Sequence, residues 1–241
     1  MTHLWDIPHK QDVTICVIDT GYELGHPDLP ANPEYNVTGW DPTTGTYASG
    51  LWYVDGHGHG THCAGTIGAI GNNDVGVIGV NPDPTRFRFH IGKGLSDGGS
   101  GLSSDVLLAV DDCIANGARV ISMSLGSSSY SATADATYQE AYEAGALVIA
   151  AAGNTANSNM HYPASYQQVM SVASIQEGGG GSLSGFSTHN DQTEIAAPGR
   201  YVSAVLDTRP TFMNPYFLHN DICHFLTSKI FLSFPFTSIS T

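Results

Sequence analysis

A three-layer α/β fold, with a central and mostly parallel sheet flanked by helices, is what the sequence predicts, and three observations predict it. Five short apolar runs, at 13–18, 87–91, 119–124, 146–151 and 169–173, have the continuous β-branched character of strands buried on both faces. Several of the segments between them read as helices, and strands alternating with helices build parallel sheets. Composition is the third observation. With 28 glycines and only 12% charged residues in 241, the chain suits a compact domain with many tight turns rather than a disordered one. A single domain accommodates that length.

Taken in order, the first run closes on Asp19-Thr20-Gly21, so Asp19 stands at the carboxyl end of a buried strand. The clearest helix starts near Ser103 or Ser104 as N-cap and carries Asp105 in its first turn. It repeats apolar residues at Val106, Val110, Cys113 and Ile114, and stops at Gly117. A second helix runs from about Ala132 to Ala144 and ends at Gly145. Ligands of such sheets gather outside the carboxyl ends of the strands, where Asp19, Ser124-Leu125-Gly126 and Ala152-Gly153-Asn154 all fall. Gly178 to Gly181 reads as a long surface turn, because a strand-like segment precedes it and Ile195-Ala196-Ala197-Pro198-Gly199 follows. After Val205 glycine disappears, phenylalanine crowds in and no period is visible.

The formal charge of −14, with only 8 Lys and Arg spread along the chain, excludes a phosphate-tracking nucleic-acid surface. Cys16, Cys63, Cys113 and Cys223 stand far apart without a C-x-x-C pair, so no disulfide-dense scaffold or zinc ribbon is indicated, and their pairing is open. The first residues have no basic segment followed by an apolar one, so they do not read as a secretory signal. The most apolar stretch, Ile230 to Ile239, is broken by Pro235 and falls short of the roughly 20 residues of a membrane helix. No membrane association is expected.

Chemistry concentrates in three places: Asp19 at a strand end, the turn Asp55-Gly56-His57-Gly58-His59-Gly60-Thr61-His62, and Asn154 after Gly153. Asp-Thr-Gly also serves aspartic peptidases, but these need two facing carboxylates, and no second Asp-Thr-Gly or Asp-Ser-Gly exists here. His57, His59 and His62 have His-x-His-x-x-His spacing, which could ligate zinc in a metal-dependent hydrolase. Against that reading, Thr61 stands where an Asp would precede the last ligand, and small helix-packing residues follow.

Five blocks then carry a resemblance. Val17-Ile18-Asp19-Thr20-Gly21 together with His26-Pro27-Asp28-Leu29 makes the first, and Gly58-His59-Gly60-Thr61-His62-Cys63-Ala64-Gly65 the second. Ser122-Met123-Ser124-Leu125-Gly126, Ala151-Ala152-Gly153-Asn154 and Ala197-Pro198-Gly199 complete the series. In order and spacing the chain resembles the subtilisin family of serine endopeptidases from Val13 to Ala204, and Cys63 resembles the proteinase K branch. The resemblance implies a subtilisin-like sheet in a peptidase domain over residues 1–205. It implies that Asp19 orients the imidazole, that His59 is the general base and that Asn154 donates to the oxyanion, with His62 structural. It also implies a peptide substrate lying as an extended strand between Gly99-Ser100-Gly101 and Ser124-Leu125-Gly126. Ala151, Ala152 and Gly153 would line a roomy primary pocket for large apolar side chains. A calcium ion is implied on Asp28, Asn73 and the carbonyls of Gly71, Val75 and Val77, although Asn-Asn-Asp is also ordinary turn chemistry. Cys63 is expected to be a buried free thiol, and the protein a secreted monomer acting on polypeptides.

One block of the pattern is missing. The nucleophile of the family lies in a Gly-Thr-Ser-Met-Ala-type block, and none follows Ala197-Pro198-Gly199; Thr227-Ser228 and Thr237-Ser238 neither follow Gly nor open a small-residue helix. Residues 206–241 are therefore expected to be a non-homologous, poorly ordered tail on an incomplete domain that is inert and prone to aggregate. A non-catalytic peptide-binding protein is the alternative function.

Overall fold

A computed structural model describes residues 13–40, 50–176, 178 and 180–199. Seven strands form one sheet: β1 (Val13–Asp19), β2 (Thr38–Trp40), β3 (Phe87–Lys93), β4 (Ala118–Met123), β5 (Leu147–Ala151), β6 (Val169–Ile175) and β7 (Thr193–Pro198). Their order is β2-β3-β1-β4-β5-β6-β7 and every neighbouring pair is parallel. The helices are α1 (His59–Gly68), α2 (Ser103–Ala115) and α3 (Ala132–Glu143). The three-layer α/β prediction holds, and the central strands β1, β4, β5 and β6 are largely apolar on both faces, as such a sheet requires.

Successive side chains of β1 point to opposite faces. Ile15 and Val17 pack with Cys63, Ala64 and Ile67 of α1 and with Phe87, Phe89 and Ile91. Cys16 and Ile18 pack on the other face with Val110 and Cys113 of α2, Ala134 and Tyr138 of α3, and Met123 and Val148. Cys16 and Cys113 form a disulfide that ties β1 to α2 through the second of these cores. Cys63 is also disulfide-bonded, which corrects the expectation of a free thiol. Widely spaced cysteines carry no pairing signal, because the fold and not the spacing brings them together.

The small residues of α1 let it approach the sheet closely. A Cβ on Gly60 would come within 2.2 Å of the Gly21 carbonyl, so only glycine allows the helix to sit on the Asp19 turn. Helix α2 begins one or two residues earlier than expected: Leu102 is its N-cap, and Ser103 and Ser104 lie inside the first turn without capping it. Helix α3 is capped by Ser131 Oγ, which accepts from Ala134 N at 3.3 Å, and it ends before Gly145 at φ +78° as expected. The glycine-rich turn after β6 is closed by an antiparallel bridge between Ile175 and Leu183, and the chain returns into the same sheet as β7. Among the described residues no helix is long and apolar enough to cross a membrane. The tail expected from residue 206, with Cys223 and its Ser and Thr pairs, lies outside the described residues.

Candidate active site

The carboxyl ends of β1, β4 and β5 form one rim. Ile18 of β1 pairs with Met123 of β4, which pairs with Ala150 of β5, so the residues that follow each strand emerge side by side. Asp19 is wholly buried at this rim. Its Oδ1 accepts from the Thr20 amide at 2.7 Å and meets His59 Nδ1 at 2.7 Å. A proton on Nδ1 donates to that carboxylate and leaves Nε2 as the basic nitrogen. His59 opens α1, and its ring is only 12% exposed. Cys63, one turn on, rests its Sγ 3.9 Å from both ring nitrogens and packs against the imidazole.

Two buried charges that the sequence reading left without a role hold this pair in place. Asp55 Oδ1 accepts from Thr20 Oγ1 (2.9 Å) and from the amides of His57 (3.2 Å) and Gly58 (2.7 Å). Its Oδ2 accepts from the amide (2.9 Å) and hydroxyl (2.7 Å) of Thr61. The carboxylate thus satisfies first-turn donors of α1 and joins that helix to the Asp19 turn. Burial alone would raise its pKa, but the bonds from Thr61, Gly58 and Thr20 outweigh burial and hold it below the usual aspartate range. Lys93 is the second charge. Paired in register with Asp19 and 1% exposed, it donates to the carbonyls of Thr20 and Val54 (2.9 Å) and to Asp97 Oδ1 (2.7 Å). Asp97 in turn accepts from Gly56 N at 3.0 Å, so one ammonium fastens the Asp19 turn, the His59 turn and the 96–101 loop.

A cleft of about 490 Å³ opens from this point. Both expected peptide walls line it, Gly99, Ser100 and Gly101 on one side and Ser124, Leu125 and Gly126 on the other, with His57 and His59 at its head. Its far end is apolar and aromatic, with Tyr138, Tyr162 and Tyr166 in a stack whose ring centroids are 4.7 and 5.3 Å apart. Ala151, Ala152 and Gly153 do not line this cleft, and the last two are buried. Asn154 is exposed, three residues past the end of β5 on the same rim.

The zinc reading is corrected. Among the described residues the group of side chains close enough to share an ion is Asp19, His59 and Cys63, not His57, His59 and His62. His59 spends Nδ1 on Asp19, and the sulfur of Cys63 is committed to a disulfide, so this group is no thiolate site. The calcium residues meet only in part. Asp28 is fully buried, yet its Oδ1 accepts from Asn73 Nδ2 (3.0 Å) and its Oδ2 from Val77 N (2.8 Å). Asn73 Oδ1 is engaged by Val75 N at 3.2 Å. The loop thus presents N–H donors to the carboxylate, and a cation on Asp28 requires the Asn73 amide reversed so that its oxygen faces inward.

Signals for the missed residues were present. A lysine on the same strand face as Phe87, Phe89 and Ile91, and an Asp four residues ahead of a helix with Thr at its third position, are both patterns with a physical meaning. Comparison with known proteins agrees with the geometry. The model of the Subtilase family matches residues 10–221. Thermitase of Thermoactinomyces vulgaris is 33% identical over 204 residues, which cover 85% of this chain and 69% of that protein. The minor extracellular protease Epr of Bacillus subtilis is 35% identical over 208 residues, 86% of this chain and 29% of its own length. The crystal structure of the psychrophilic subtilisin-like protease Apa1 from Pseudoalteromonas sp. AS-11 superposes with a TM-score of 0.69 at 44% identity, covering 78% of this chain and 41% of that one. The chain thus spans about two thirds of one relative and well under half of the other two.

Proposed function

Because the chain belongs to the subtilase family, we propose that its cleft is the substrate site of a serine-type endopeptidase in which Asp19 and His59 are the acid–base pair. The observation that supports this most directly is the 2.7 Å contact from His59 Nδ1 to a buried carboxylate at the head of a cleft with two peptide-sized walls. In this reading Asp19 fixes the tautomer and stabilises the imidazolium, while Nε2 takes the nucleophile's proton and returns it to the leaving amine. Asn154 donates its side-chain amide to the oxyanion. Residues 99–101 and 124–126 add their backbones to an extended polypeptide as neighbouring strands. Action outside the cell and a monomeric state belong to the same reading.

No Gly-Thr-Ser-Met-Ala-type block occurs in the sequence, so in this reading the 241-residue chain binds peptides without cleaving them. Removal of the serine from subtilisin, the reference case for this loss, lowers kcat by about 10⁶. A fluorophosphonate probe and a fluorescent extended peptide test both statements on the full chain. The expected result is peptide binding abolished by bulky substitution of Gly126, with no probe labelling. Labelling that depends on His59 would show a working nucleophile, and absence of peptide binding would overturn the cleft assignment. Calcium at Asp28 would require Asn73 to turn its oxygen inward. An equal melting temperature in calcium and in chelator would remove it.

A further inference from the structure

His161 lies in a segment to which the sequence motifs give no role, and its backbone is clamped. Its amide donates to Ser165 Oγ at 3.0 Å and its carbonyl accepts from Ser165 N at 2.9 Å. The next residue, Tyr162, exchanges two backbone bonds with Ser127, at 2.7 and 2.8 Å. The imidazole itself is held by packing between the ends of β4 and β5. A Cβ on Gly126 would come within 2.5 Å of His161 Nε2, and a Cβ on Gly153 within 2.9 Å of His161 Cδ2. The ring therefore rests on both glycines and occupies the gap between the two loops. Neither ring nitrogen has a hydrogen-bond partner among the described residues. The residue is half-buried, and burial holds its pKa below the ordinary histidine value, which favours the neutral ring.

We propose that His161 is a specificity-determining residue, an imidazole plug that closes the side-chain pocket between Gly126 and Gly153 to large residues and selects small ones. The inference rests on the reading that an extended peptide lies along Ser124, Leu125 and Gly126. It reverses the preference that the small residues at 151–153 imply, since a gap already occupied by an imidazole in contact with both glycines has no room for an aromatic ring.

The test is a phenylalanine walk along an extended oligo-alanine peptide, with binding to the full chain read by fluorescence anisotropy. At one position of the walk phenylalanine should weaken binding at least tenfold relative to alanine, a discrimination of the size that pocket shape supplies. His161→Gly should abolish or reverse that penalty at the same position and nowhere else. His161→Phe keeps the gap filled and should preserve it, which separates plugging from any general loss of structure. A walk with no disfavoured position, or an unchanged profile in His161→Gly, overturns the inference while the peptide-binding cleft stands. If no peptide of the series binds, the cleft reading fails and this inference falls with it.

Discussion

The two ends of the cleft are built on different principles. At its head, Asp19 and His59 are fixed by a lattice of buried charges and backbone groups, with Asp55 alone accepting five hydrogen bonds. At its far end, Tyr138, Tyr162, Tyr166 and the nearby His161 are arranged mainly by ring packing. Directional bonds hold a geometry to fractions of an ångström, as proton transfer demands. Packed rings only exclude volume, which is what side-chain selection demands. The head should therefore tolerate little change, whereas the far end should accept substitutions that alter which peptide binds.

Breaking the head should have the largest effect. Asp55→Ala leaves the amides of His57, Gly58 and Thr61 and the hydroxyls of Thr20 and Thr61 without their acceptor, and should cost about 3–5 kcal/mol in urea unfolding. That difference should depend on pH. The folded-state pKa of Asp55 is lowered, so its contribution is complete above the unfolded aspartate value of about 3.9 and is lost as pH falls through the lower folded value. The gap between parent and Asp55→Ala should accordingly narrow below about pH 4, as unfolding curves across that range would reveal. An unchanged gap would mean that Asp55 does not act through its charge.

Lys93→Met comes next, at about 2–4 kcal/mol, because it strands the Thr20 and Val54 carbonyls and releases Asp97. Lys93→Arg should recover part of the stability and less of the peptide affinity, since the planar guanidinium cannot reproduce three convergent contacts of a point donor. Calorimetric unfolding and peptide titration of both variants would separate the two effects. The smallest change belongs to the far end. Tyr166 Oη accepts from Ser131 N (3.0 Å) and donates to Ser131 O (3.1 Å), so Tyr166→Phe should cost about 1 kcal/mol and leave the His59–Asp19 contact untouched.

The same contrast explains what could be read from the sequence. The parallel sheet was legible because β1, β4, β5 and β6 are largely apolar on both faces, while β3 shows through Phe87, Phe89 and Ile91 on one face. Asp19 and His59 were legible through glycines forced by close approach, Gly60 above all. Strand β2 escaped notice because three residues, Thr38–Trp40, carry no period. Lys93 and Asp55 were overlooked as functional because their value lies in which backbone groups converge on them, and convergence is a property of the fold. His161 could not be found by pattern at all. It acts by occupying space beside two glycines distant in sequence, and the small residues 151–153 pointed toward an open pocket that the imidazole fills.

The contact between the buried carboxylate and the ring can be observed in solution by proton NMR. An Nδ1–H held by Asp19 should give an exchange-protected resonance downfield of the ordinary amide region, absent from His59→Ala and lost in Asp19→Ala while both variants keep their folded spectra. A spectrum without that resonance, or one in which it survives Asp19→Ala, would contradict the account.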